Sequence, residues 1–69
     1  MTTDSIHVPE IHCDHCRESI EGALTPMAGV AHAEVDVEAR VVTVSYDPQA
    51  VGRDALVGAI EEQGYEVPG

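Results

Sequence analysis

Ile6 and Val8 alternate with Ser5 and His7, a period of two that predicts a half-buried strand, and Pro9 closes it. Glu10-Ile11-His12-Cys13 then reads as a loop. From Asp14 the period lengthens. Cys16, Ile20, Ala23, Leu24 and Met27 recur at helical spacing, and Arg17, Glu18 and Glu21 occupy the opposite face. Asp14 suits the N-cap or the first turn, while Pro26 disfavours helix at Thr25 and sets the C-terminal limit. Gly29 opens a second strand in which Ala31, Ala33, Val35 and Val37 face one way. His32, Glu34, Asp36 and Glu38 face the other, the pattern of a sheet with one wet side. Glu38-Ala39-Arg40 turns the chain into a third strand, where Val42, Val44 and Tyr46 alternate with Val41, Thr43 and Ser45 until Asp47-Pro48 breaks it. A second helix from about Gly52 buries Leu56, Ala59 and Ile60, with Gly64 placed as its C′ residue. Tyr65 and Val67 are expected to form a short last strand before Pro68.

Strand, helix, strand, strand, helix, strand in that order predicts a single α+β domain over residues 1–69. Right-handed crossovers would make it a ferredoxin-like βαββαβ sandwich, a four-stranded antiparallel sheet with both helices on one face. The loop after the first strand and the turn before the last would then meet at one tip, making Cys13, Cys16 and Tyr65 neighbours. The arrangement hosts many unrelated activities and names none of them.

Size and charge narrow the field. A chain of 69 residues buries only about 60% of its unfolded surface, which leaves little room for a deep cleft and argues against an enzyme. Thirteen acidic residues against three arginines give a formal charge of −10. Such a surface repels nucleic acid and anionic lipid and favours a partner with a basic face, although acidity also serves solubility. The first residues lack the cationic and apolar regions of a signal peptide, and no apolar run approaches a membrane span. Cytoplasmic residence is the expectation.

Cys13 and Cys16, spaced as Cys-Asp-His-Cys, are the only cysteines. Two thiols three residues apart at the start of a helix can share one soft metal ion or oxidise to one disulfide. Thiolate selects Cu(I) and zinc over hard cations, and a helix N-terminus favours the thiolate. Two cysteines are too few for a secreted disulfide scaffold and fit a reducing compartment. A thiol oxidoreductase needs a larger domain than this, and no Trp flanks the pair. A zinc finger lacks its following histidine pair.

Five landmarks carry a resemblance to the heavy-metal-associated domain family, and within it to small bacterial Cu(I) chaperones. They are Ile11-His12-Cys13-Asp14-His15-Cys16, Pro26-Met27-Ala28-Gly29-Val30, Tyr46-Asp47-Pro48, Ala59-Ile60-Glu61-Glu62-Gln63-Gly64 and the Tyr65 that follows. The cysteine motif alone is short, and its agreement with the others in order and spacing makes the match strong. The resemblance implies Cu(I) held between the sulfurs of Cys13 and Cys16, with Tyr65 shielding the ion without ligating it. It also implies handover by ligand exchange to a copper-transporting P-type ATPase metal-binding domain or a copper-responsive repressor, and a tendency toward a metal-linked homodimer. Neither nucleic acid nor membrane is an expected partner. Glu10 and Ile11 depart from the family's usual Gly-Met, though Ile can fill the volume of an inward Met. His12 and His15 beside Asp14 form the second departure. Imidazole suits zinc and Cu(II), so a zinc or other divalent-metal carrier or sensor using Cys13 and Cys16 with His15 or Asp14 is the alternative. Both rings are otherwise expected in solvent, as are His7 and His32 on outward strand positions.

Overall fold

The computed structural model describes residues 1–68, in the order β1 (Thr2–His7), α1 (Asp14–Leu24), β2 (Val30–Asp36), β3 (Val41–Tyr46) and α2 (Arg53–Glu62). The strands form one antiparallel sheet of order β1-β3-β2. β3 is central because its inward residues are all apolar. Val42, Val44 and Tyr46 are buried, and Val42 lies opposite both Ile6 of β1 and Val35 of β2. Against that face pack Cys16, Ile20 and Leu24 of α1, spaced four apart, and Leu56 and Ile60 of α2, spaced the same way. Each Ile or Leu so buried contributes about 1.5–3 kcal/mol, and these side chains form a single core.

Two polar contacts fix the layers. The Glu21 carboxylate accepts the Val35 backbone N–H at 3.0 Å, which ties α1 to the edge strand β2. At the other end, Tyr46 donates its hydroxyl to Asp4, whose carboxylate also lies 3.8 Å from the Arg53 guanidinium. Gly29 has φ +91°, and a Cβ there would meet the Ala50 Cβ at 2.8 Å, so the approach to β2 requires glycine. Gly64, at φ +96°, follows the C-cap Gln63 and donates to the Glu61 carbonyl at 2.9 Å, as a C′ glycine does. Among the described residues no helix is long and apolar enough to cross a membrane.

Three expectations are corrected. The strand read around Ile6 and Val8 runs instead from Thr2 to His7, and Val8 stays buried just beyond its end. In β2 the register shifts between Val30 and His32, so Ala31 is the extra residue of a bulge and lies exposed. Val30 therefore packs inward in place of Ala31. The sheet has three strands among the described residues, and no fourth forms from Tyr65 and Val67. There the Glu66 N–H donates to the Glu10 side chain rather than to a ladder, and Pro68 has no N–H to offer. Tyr65 and Val67 still pack against the core from this irregular segment.

Candidate metal centre

The loop that carries the cysteines is pinned from both sides. Val8 and Ile11 are fully buried, Val8 donates its N–H to the Arg40 carbonyl at 2.8 Å, and Ile11 donates back to Val8 at 3.1 Å. Ile11 thus supplies the inward anchor expected of it. The chain next leaves the core, exposing His12 and half-exposing Cys13.

Cys13, not Asp14, is the N-cap of α1. Its backbone is extended (φ −159°, ψ 169°), and its carbonyl accepts the N–H groups of Cys16 at 3.1 Å and Arg17 at 3.3 Å. The Cys13 side chain makes no cap hydrogen bond, so its sulfur is free to face elsewhere. Asp14 is a first-turn acid, exposed and 3.8 Å from Arg17. One turn along, Cys16 drops into the core at 3% exposure.

The two sulfurs stand 3.5 Å apart, far beyond the 2.03–2.05 Å of a disulfide, and both cysteines are free. The His12 Nδ1 lies 3.8 Å from the Cys16 sulfur and 2.8 Å from the Glu10 carbonyl oxygen. His12, Cys13 and Cys16 offer three donor atoms that all fall within 4.8 Å of one another. These are soft and borderline donors, suited to Cu(I) and zinc and poorly suited to calcium or magnesium.

The Cys16 thiol is lowered from an ordinary 9.0 to about 6. The largest cause is the Tyr65 hydroxyl, which donates toward the sulfur; the His12 backbone and the Cys13 side chain add to it, against the opposing effect of burial. The same contact raises Tyr65 from 10.0 to about 12, because a phenolate beside a thiolate would lose that bond and repel its neighbour. The lowered value favours the thiolate, the form in which a cysteine binds metal.

Of the residues singled out in the sequence, Cys13, Cys16 and Tyr65 come together. His15 and Asp14 are exposed and stand outside the three-donor cluster. His32 lies 3.4 Å from Glu34 on the open face, and His7 is exposed on β1. The histidine that joins the sulfurs is His12. His12 precedes the extended N-cap Cys13 and lies outside α1, so no helical spacing signalled its approach to Cys16. Glu10 was not anticipated at all. Its carbonyl holds the His12 ring and its carboxylate holds the Glu66 N–H, so one residue braces both walls of the site.

Residues 5–66 match the family described as the heavy-metal-associated domain. The chain is 43% identical over 67 residues to the copper chaperone CopZ of Staphylococcus saprophyticus, spanning 97% of this chain and 98% of that protein. Among solved structures it resembles a CopZ metallochaperone with a TM-score of 0.94 at 36% identity, over 97% of this chain and 100% of the other. It also resembles a copper-binding domain from a P-type ATPase, with a TM-score of 0.90 at 28% identity, over 100% of this chain and 96% of that one.

Proposed function

The chain belongs to the heavy-metal-associated domain family, and from that premise we propose that it is a copper chaperone. Cu(I) is its cargo, held between the Cys13 and Cys16 thiolates and passed on by ligand exchange. The observation that carries this reading is the pair of free cysteines whose sulfurs stand 3.5 Å apart at the loop that opens α1, with the Cys16 thiol lowered to about 6. Two bonds of about 2.3 Å in line would set the sulfurs about 4.6 Å apart, taking the Zn–S length as a guide. Cys13 is half-exposed and its side chain makes no cap bond, so it supplies that opening by rotating, while Cys16 stays packed in the core.

Transfer follows from the same asymmetry. An incoming thiolate adds to the ion as a third ligand, the Cys13–copper bond breaks, and a second incoming thiolate replaces Cys16, whose lowered pKa lets it leave as the thiolate. No electron changes hands. The accepting partner is a domain of matching motif, such as the metal-binding domain of a copper-exporting P-type ATPase, and the likeness to such a domain supports that choice. A copper-responsive repressor is the other acceptor of suitable chemistry. The formal charge of −10 favours an acceptor with a basic face. The function is that of a carrier rather than a catalyst, and its setting is the cytoplasm.

The test is anaerobic titration with Cu(I) against a chromophoric chelator. Native protein should bind tightly through both sulfurs, and Cys13→Ser or Cys16→Ser should lose that binding while keeping the fold by circular dichroism. Near-native Cu(I) affinity in Cys13→Ser would sink the two-thiolate site.

A further inference from the structure

We propose that His12 is a third, displaceable ligand that lets the same site take a zinc ion, while Cu(I) is held by the sulfurs alone. The inference rests on the two-thiolate reading and adds a second metal class to it.

Three observations support it. The His12 Nδ1 and the two sulfurs lie within 4.8 Å of one another, a span that a single ion can bridge. The sulfurs are 3.5 Å apart, and two bonds of about 2.3 Å at a tetrahedral angle would place them about 3.8 Å apart. That is nearer to the spacing found than the in-line value of about 4.6 Å. Finally, the exposed His12 ring hydrogen-bonds the Glu10 carbonyl at 2.8 Å, so the loop already holds it 3.8 Å from the Cys16 sulfur.

Zinc differs from Cu(I) in what it asks for. It favours four ligands and accepts the set of two cysteines and one histidine, with the last position open to water or an incoming ligand. His12, Cys13 and Cys16 form such a set, and the exposure of His12 and Cys13 leaves the fourth position reachable. Ligation through Nδ1 requires the ring proton to reside on Nε2, so the bond to the Glu10 carbonyl is given up as the zinc bond forms. The ring is exposed, and water carries the proton between its nitrogens. The Glu10 carbonyl is then the resting position of the ring, and zinc is the ion that draws it away.

The experiment measures zinc and Cu(I) affinities by chelator competition for native protein, His12→Ala and His15→Ala. It is paired with nitrogen-detected NMR of the imidazoles during addition of zinc sulfate alone. Removal of an outer partner of a metal ligand already costs about 10–100-fold in affinity, so loss of a direct ligand should cost at least about tenfold. His12→Ala should weaken zinc by that factor and leave Cu(I) within about threefold, and His15→Ala should change neither. In native protein the His12 ring nitrogens should shift with zinc and stay put with Cu(I). Zinc affinity unchanged in His12→Ala, or equal losses for both metals, overturns the proposal. Native protein that binds zinc through His12 but not Cu(I) overturns the chaperone reading and the Cu(I) half of this proposal while upholding His12 as a zinc ligand, and failure to bind either metal overturns both.

Discussion

The Glu10 carboxylate accepts the backbone N–H of Glu66, a bond between residues 56 positions apart. It closes the segment carrying Tyr65 over the loop carrying the cysteines, where a sheet ladder would otherwise have to do so. Tyr65 owes its place against Cys16 to this tie together with its own packing on the core.

Glu10→Ala should therefore loosen the tip without unfolding the domain. An exposed hydrogen bond of this kind contributes about 1 kcal/mol at most to global stability. The Glu66 amide should exchange with solvent faster, and copper should pass more quickly to a competing chelator. Glu10→Gln keeps an acceptor oxygen and should restore most of both properties. Native-like exchange at Glu66 in Glu10→Ala would show that the bond holds nothing.

Cys13→Ser should separate stability from function. Position 13 is an N-cap whose side chain makes no cap bond, and serine is among the best residues there. The substitution should raise stability by about 0.5–1 kcal/mol in urea unfolding while removing tight Cu(I) binding. Cys16→Ser should lose the same binding and lower the urea midpoint, since it places a hydroxyl among Ile20, Leu24 and their neighbours. Equal midpoints for the two variants would mean that the cap and the core differ less than their burial implies.

Gly29→Ala probes the scaffold away from the metal. The added methyl would meet Ala50 at 2.8 Å and Val51 at 3.0 Å, and the residue would be held at φ +91°. Strain at such a backbone position costs about 1–3 kcal/mol. Thermal unfolding should fall accordingly, while Cu(I) affinity measured below the transition stays native. A drop in affinity at full folding would reveal coupling between the two ends of the domain.

Most of the architecture was legible because periodicity is a burial signal. Val42, Val44 and Tyr46 alternate, Cys16, Ile20 and Leu24 recur every fourth residue, and each set is buried as its spacing implies. The failures fall where hydrogen bonding, not burial, decides. The bulge at Ala31 shifts a face by one residue with no apolar residue out of place, and an alanine fits either face. Tyr65 and Val67 alternate as a strand would, yet the Glu10 carboxylate takes the Glu66 donor. At the site, spacing identified both cysteines and brought Tyr65 near them. His12 and His15 looked equivalent because both flank a cysteine, and both are exposed; only the folded loop brings the His12 ring to the sulfurs and leaves His15 outside the cluster. The role of the Tyr65 hydroxyl, as distinct from its bulk, depends on an oxygen–sulfur contact that no pattern encodes.

That hydroxyl gives the last prediction. Cys16 titrates near 6 in the folded chain against an ordinary 9.0, chiefly because Tyr65 donates to its thiolate. A depressed acid contributes stability that is fully present above the unfolded value and lost as pH falls through the folded one. The contribution of Cys16 should therefore fade as pH drops from about 9 to about 6 and be absent below that. Tyr65, raised to about 12 from 10.0, acts at the other end: its contribution is whole below pH 10 and is lost as pH rises through about 12. Tyr65→Phe keeps the ring and deletes the donor. Its Cys16 thiolate should appear, by ultraviolet absorbance, at a pH above the native value, and the rise of stability with pH should shift upward with it. Protons and Cu(I) compete for the same sulfur, so the fall of apparent Cu(I) affinity on acidification should also begin at a higher pH in Tyr65→Phe. At pH 9 and above the two proteins should bind copper alike. Tyr65→Ala should show the same titration shift and, having lost the ring, should also surrender copper faster to a chelator at every pH. If native and Tyr65→Phe thiolates titrate together, the hydroxyl does not hold the sulfur, and Tyr65 acts only as a cover.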